Sequence, residues 1–312
     1  MISDKTGHVA RGLYVCGLAW SPVLLLDGSR PVIFEAGFAC AAQLYERELR
    51  QVLGETKPEI LFLTHVHWDH CGATDYLRRA FPGLKVAASA RAAAIVARPS
   101  AQRRIIELGR TAIPVIRTFD GVDGSLLIDE PFRPFDVNIA LHDGQVVQVD
   151  KDTTVEVLAT PGHTRDHLSY YIPERKILIG GEAAGCLEPG GGIDVEFLAD
   201  YDAYLASLAR LLTIPAEIFA QGHNYLFVGR ESVKVYLERS MKAAEDFATR
   251  VHELLRAEGG SIERVVNRIK VEQHDPKPGP KQPDEAFLLN LTAQVTHLAA
   301  RKPVSRNRET AS

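Results

Sequence analysis

Thr64-His65-Val66-His67-Trp68-Asp69-His70 places three imidazoles and a carboxylate within six positions. The run follows Ile60-Leu61-Phe62-Leu63, a continuous apolar stretch that suits a strand buried on both faces, so the polar cluster sits at a strand exit. Imidazole nitrogen and carboxylate oxygen are donors that zinc, iron and manganese accept. His65 and His67 are two positions apart, and extended backbone points both to the same side. The turn after them can aim Asp69 and His70 at a second, adjacent position. The chain has 11 histidines, and three of them inside six positions favour a metal loop over a histidine-rich surface loop or ordinary core histidines.

Working outward, one local design recurs. Residues 155–160 lead into Pro161-Gly162-His163, residues 177–180 into Gly181-Glu182, and residues 218–221 into Gly222-His223. Each is an apolar strand followed by glycine and then by a potential ligand. Glycine allows a sharp turn or a close backbone approach, and groups at the carboxyl ends of neighbouring strands converge on one crevice.

The remaining pattern alternates α and β. Between residues 13 and 34, turn chemistry at Ser21-Pro22 and Asp27-Gly28-Ser29 separates short strands. Helices are expected at 41–53, 73–80 and, interrupted by Pro99 and Pro114, across 91–117; a strand is expected at 85–88. Further strands are expected at 145–149, 153–159, 168–172, 176–179 and 217–220, with a helix at 199–212. Val233, Leu237, Met241, Ala244, Phe247, Val251 and Leu254 recur at helical spacing and define a long amphipathic helix whose apolar face needs a cover. His274-Asp275-Pro276-Lys277-Pro278-Gly279-Pro280 reads as a stiff linker, and Phe287, Leu291, Val295 and Leu298 mark a last helix. The organisation expected is a catalytic domain at 1–228, a helical extension at 229–302 and a disordered tail at 303–312.

Composition narrows the class. With 46% hydrophobic and 24% charged residues and a net charge of −4, the chain is an ordinary globular protein without the basic balance that gripping nucleic acid needs. Cys16, Cys40, Cys71 and Cys186 are far apart and show no CxxC spacing, which suggests reduced thiols. The first twelve residues are polar and no apolar run is long enough to span a bilayer, so a cytoplasmic protein without a signal peptide or membrane partner is expected.

The HxHxDH run at His65, His67, Asp69 and His70, the later His163, the acid at 182 and the final His223 together resemble the signature of the metallo-β-lactamase superfamily. The resemblance covers most of the first two-thirds of the chain. It implies an α/β fold, the metallo-β-lactamase αββα sandwich, here with added C-terminal helices. It also implies two divalent metal ions (zinc, iron or manganese), one held by His65, His67 and His163, the other by Asp69, His70 and His223, with residue 182 between them. The superfamily has Asp at that bridging position. This chain has Glu182, one methylene longer, which bridges if the backbone retreats slightly or else binds one ion only; the competing reading is a salt bridge to an arginine.

The implied chemistry is hydrolysis, with Asp69 both ligating and accepting a hydrogen bond from the attacking water. A lactamase-type domain followed by helices is similar to glyoxalase II and to PqsE-type thioesterases of aromatic acyl-CoA, on residues 65–72, 162–171 and 200–208. The expected function is therefore a metal-dependent hydrolase attacking the carbonyl of a thioester, acyl-CoA or related. The alternatives are a lactonase or other ester hydrolase, and a metal-retaining binding protein, which the Glu182 substitution favours. A small-molecule substrate, no nucleic acid, no membrane and a possible homodimer complete the expectation.

His167 is expected to support or pack behind the site, since a strand begins after it. Asn224 and Tyr225 are candidates to touch substrate, Trp68 to roof the loop, and Cys71 to be a small buried residue. Arg230, Lys234, Arg239, Lys242 and Arg250 could meet phosphates, but they interleave with Glu231, Glu238, Glu245, Asp246 and Glu253 and read as a solvated face. The C-terminal helices could serve equally as a cap over the metals, a flank layer or a dimer interface.

Overall fold

Period-two patterning builds the first half of the protein. The computed structural model describes residues 2–119, 122–277 and 281–301. The tail expected at 303–312 and residues 278–280 of the expected linker lie outside them. After β1 (Ile2–Ser3), a seven-stranded sheet is laid down in sequence order by β2 (Gly7–Ala10), β3 (Leu13–Cys16), β4 (Val23–Leu26), β5 (Val32–Phe34), β6 (Ile60–Phe62), β7 (Lys85–Ser89) and β8 (Ile139–Leu141). β2 to β5 pair antiparallel, whereas β5 to β8 pair parallel. The parallel part needs crossovers, supplied by α1 (Ala42–Leu53), α2 (Thr74–Ala80), α3 (Ala90–Val96) and α4 (Pro99–Ile116).

The second sheet comprises β9 (Val146–Asp150), β10 (Thr153–Ala159), β11 (Leu168–Ile172) and β12 (Ile177–Gly181), then β15 (Ile218–Gln221) and β16 (Leu226–Val228), with β1 returning to its edge. Between β12 and β15 lie a small hairpin, β13 (Cys186–Leu187) with β14 (Ile193–Asp194), and α5 (Tyr201–Leu212). Then follow α6 (Arg230–Ala257), α7 (Ile262–Ile269) and α8 (Asp284–Ala299).

Alternate residues of the strands meet between the sheets. Leu24, Phe34 and Phe62 from the first sheet and Val157, Tyr170 and Ile179 from the second belong to one buried cluster. The Phe34, Phe62 and Tyr170 rings lie 5.2–5.6 Å apart. Burying rings of this kind contributes roughly 1.5–3 kcal/mol each. The opposite faces are covered by α1 to α4 on the first sheet and by α5 to α8 on the second. The layers are thus helix, sheet, sheet, helix.

Several sequence expectations change. Pro114 lies inside α4 and does not interrupt it, because burial of Ala112 and Ile116 holds the last turn against the loss of one ladder bond. Pro99 starts that helix, where its missing N–H costs nothing. β1, β2, β8, β13, β14 and β16 were not expected; they are two to four residues long, too short to show a period. His274 closes a π-helical turn (Lys270–His274) instead of opening a linker. The apolar face of α6 is spent on the flank. Val233, Tyr236 and Val251 are buried with α5 and the second sheet, and Tyr236 stacks on Phe227 of β16 at 4.0 Å. Its basic residues pair locally, Lys234 with Glu238 and Lys242 with Asp246, as a solvated face does. No helix among the described residues is long and apolar enough to cross a membrane.

Candidate metal centre

Strand direction decides where the donors meet. β10 and β12 both lie antiparallel to β11, and β12 is parallel to β15, so the chain leaves β10, β12 and β15 at the same end of the second sheet. Those exits carry His163, Glu182 and His223. The exit of β6 from the first sheet is tied to that end by Leu168 N–H to Thr64 O at 2.8 Å and by the Tyr170 hydroxyl to Leu63 O at 2.5 Å. The sheets are therefore locked together where His65 begins its loop.

Donor atoms of His65, His67 and His163 lie within 4.8 Å of one another, and so do those of Asp69, His70 and His223. In the first group, His163 Nε2 is 3.3 Å from His65 Nε2 and 3.1 Å from His67 Nδ1. The other nitrogen of His163 donates to Glu196 O at 2.5 Å, which leaves the Nε2 lone pair facing inward. In the second group, His223 Nε2 is 3.5 Å from Asp69 Oδ2, and its Nδ1 donates to Trp20 O at 2.7 Å.

Glu182 lies between the groups, 2% exposed. Its Oε1 is 2.5 Å from His70 Nε2 and 3.0 Å from His223 Nε2, while Oε2 is 3.8 Å from His65 Nδ1. Its ion-pair partners are histidines, and none among the described residues is the arginine of the competing reading. Two glycines make room for it. Gly181 takes φ +53°, and a Cβ on Gly222 would stand 2.3 Å from Oε1.

The electrostatics divide the cluster. Burial, reinforced by the neighbouring His67, holds His65 and His163 well below the usual imidazole range, and burial also lowers His67. Burial opposes the charge on Glu182, but His70, His65 and His223 outweigh it and keep the carboxyl well below its ordinary range. Against the same burial penalty, Glu182 and Asp69 push His70 well up and His223 to about 9. The first three imidazoles are thus neutral and ready to donate, whereas His70 and His223 hold protons that a cation must displace. Uptake at the second position is expected to strengthen as pH rises toward 9, up to about tenfold per unit for each proton released, with little change at the first. Titrations at pH 6.5, 7.5 and 8.5 in buffers of different ionisation enthalpy would read both affinity and protons.

Both polar nitrogens of His70 and Glu182 Oε2 are buried without hydrogen-bond partners. A pocket of neutral imidazoles and two carboxylates with such orphaned atoms fits divalent cations.

Two acids were missed from the sequence. Glu35, at φ +65° directly after β5, is buried; it accepts from Thr64 N at 3.2 Å and faces His70 Nδ1 at 3.5 Å. Its signal was again an apolar strand followed by an acid, then Ala36-Gly37. Asp166 is buried and accepts Val66 N–H at 3.2 Å, pinning the loop between His65 and His67. Asp166→Ala is expected to orphan that N–H and lower stability by about 1–3 kcal/mol, measurable by denaturation of the chelator-treated protein.

The centre opens into a cavity of about 830 Å³ lined by Asp69, His223, Asn224 and Tyr225. Trp20, Trp68 and Phe119 form an aromatic wall, with Trp20 stacked on Phe119 at 5.1 Å. His274, Lys277, Lys281 and Phe287 close the far side, so the connection between α7 and α8 borders the entrance. Cys71 is buried in the loop turn, its N–H bonded to His67 O.

Comparison with known proteins accords with this geometry. The Caenorhabditis elegans Beta-lactamase-like protein 2 homolog is 27% identical over 70% of this chain and 61% of its own length. A hydroxyacylglutathione hydrolase of Rhodopseudomonas palustris is 33% identical over 40% of this chain and 46% of its own length. The atrochrysone carboxyl ACP thioesterase of Aspergillus fumigatus is 25% identical over 64% and 49% respectively. The chain thus spans between about half and three-fifths of these relatives. A metallo-beta-lactamase family protein of Thermus thermophilus shares the fold, with a TM-score of 0.60, 19% identity and 92% of both chains covered. The profile of the Metallo-beta-lactamase superfamily matches residues 21–223, well over half of the sequence. Donors at the exits of β6, β10, β12 and β15, the four-layer sandwich and this match agree: the chain belongs to the metallo-β-lactamase superfamily.

Proposed function

We propose that the protein is a metal-dependent hydrolase that cleaves thioesters at a dinuclear centre. The observation that carries the reading is the convergence of seven donors, His65, His67, Asp69, His70, His163, Glu182 and His223, beside one aromatic-walled cavity. Two divalent ions held there, zinc, iron or manganese, would lower the pKa of a water and polarise a carbonyl.

The chain's own groups do the rest. Asp69, half-buried at the cavity floor, accepts a hydrogen bond from the water and orients it. The backbone carbonyls of Glu196 and Trp20 fix the tautomers of His163 and His223. Trp20, Trp68 and Phe119 exclude bulk water and offer an apolar surface to an acyl group. Asn224 and Tyr225, on the turn after His223, border the leaving-group side. Relatives named as a thioesterase and as hydroxyacylglutathione hydrolases support a thioester as the substrate.

The test is a panel assay on the purified, metal-loaded protein with acyl-CoA and acyl-glutathione thioesters, lactones and a bis-aryl phosphodiester. Thioesters are expected to be turned over with the highest kcat/KM. Preference for lactones would move the assignment to an ester hydrolase, and no turnover despite full loading would make this a binding protein.

A further inference from the structure

Two buried polar atoms without partners meet behind the centre: Glu182 Oε2 and His167 Nε2. His167 is 1% exposed, and donor atoms of His65, His167 and Glu182 lie within 4.8 Å of one another. A Cβ on Gly181 would stand 2.7 Å from His167 Nε2, so the ring presses on the backbone just before Glu182. The other nitrogen, Nδ1, is 2.9 Å from Thr160 Oγ1, which is 2.8 Å from Ser169 Oγ.

Counting hydrogens along this chain gives the ring its tautomer. If Ser169 donates to Thr160, the Thr160 hydroxyl donates to His167 Nδ1, and the single ring proton sits on Nε2. The opposite direction sends the Ser169 proton to Gly180 O, at a longer 3.3 Å, and turns a bare Nε2 lone pair toward a carboxylate. The first arrangement gives both orphaned atoms a use, one as donor and one as acceptor.

We propose that His167 is a positioning residue for Glu182, its Nε2–H holding Oε2 so that Oε1 alone is offered between His70 and His223. The assignment rests on Glu182 being a donor of the dinuclear centre. It answers a need specific to this chain: glutamate has one more rotatable bond than aspartate, and an unanchored carboxylate would lose affinity to the cost of ordering it. Groups that orient a ligand from behind typically affect metal affinity by about 10–100-fold.

The test uses the full chain, stripped with chelator and titrated with Co(II), reading ions bound per chain, affinities and visible absorption. His167→Asn keeps a partner for Thr160 but withdraws the group that reaches Glu182; His167→Gln places an amide N–H near the position of Nε2. The wild type and His167→Gln are expected to load two ions. His167→Asn is expected to bind the second about tenfold or more weaker, with altered Co(II) bands and an unchanged first affinity. His167→Leu supplies the same loss if the asparagine fails to fold, as judged by circular dichroism. In a Glu182→Ala background the His167 substitutions should add nothing. Equal loading and spectra in wild type and His167→Asn, or an effect that persists in full without Glu182, would overturn this inference and leave the dinuclear reading standing. A wild type that loads fewer than two ions would overturn both.

Discussion

His67→Ala is expected to remove metal from the first position and lower thioester kcat/KM by at least about 10³, since a bound ion supplies several kcal/mol of transition-state stabilisation and each 1.36 kcal/mol is tenfold. The triad leaves no spare donor. His163 Nε2 faces His65 at 3.3 Å and His67 at 3.1 Å, and both distances describe lone pairs brought together for a shared ion. Two imidazoles alone hold a divalent ion weakly. His67 is only half-buried, so the variant should keep its fold, and circular dichroism would separate lost ligation from lost structure. Metal analysis and kinetics on one preparation would read the two losses together; full activity with one ion fewer would overturn the role given to the first position.

Glu182→Ala should have the second large effect, on stability as well as metal. Its carboxylate is buried against His70 and His223, and breaking a buried pair from one side costs about 3–5 kcal/mol. The sign follows from His223. Its pKa is raised to about 9 in the folded, metal-free protein, so the stabilisation is fully present below the unfolded value near 6.5 and fades as pH rises through 9. The metal-free variant should therefore be most destabilised near neutral and mildly acidic pH, and the gap should close above pH 9. Glu182→Asp should keep both ions and most of the stability, because only one methylene is withdrawn. Unchanged metal content in Glu182→Ala would show that residue 182 is not a ligand.

Residues that support the donors were harder to see in the sequence than the donors themselves. A histidine cluster after an apolar run carries its own signal, and so does each strand that ends in glycine and a ligand. Glu35 and Asp166 carry no such signal, because an isolated acid in a sequence looks like surface until the fold buries it. Their partners, Thr64 N and Val66 N, lie 29 and 100 positions away. His167 posed the same problem, since its relation to Glu182 arises only where β11 and β12 lie side by side. The cap was misplaced for a related reason. The apolar period of α6 reports that a face is buried, not what buries it, and the second sheet took that face while the α7–α8 connection came to border the cavity.

The sequence by itself determined the alternation of strands and helices, the inward and outward faces of the strands, and the set of residues able to donate to metal. These depend on the period of the backbone and on side-chain chemistry, both local. The tertiary structure alone decided that four strand exits would share one edge, that β6 would be tied to β11 there, and which acid would stand behind each imidazole. Those outcomes depend on contacts between residues far apart in the chain, where burial removes water as a partner and each polar atom must find another.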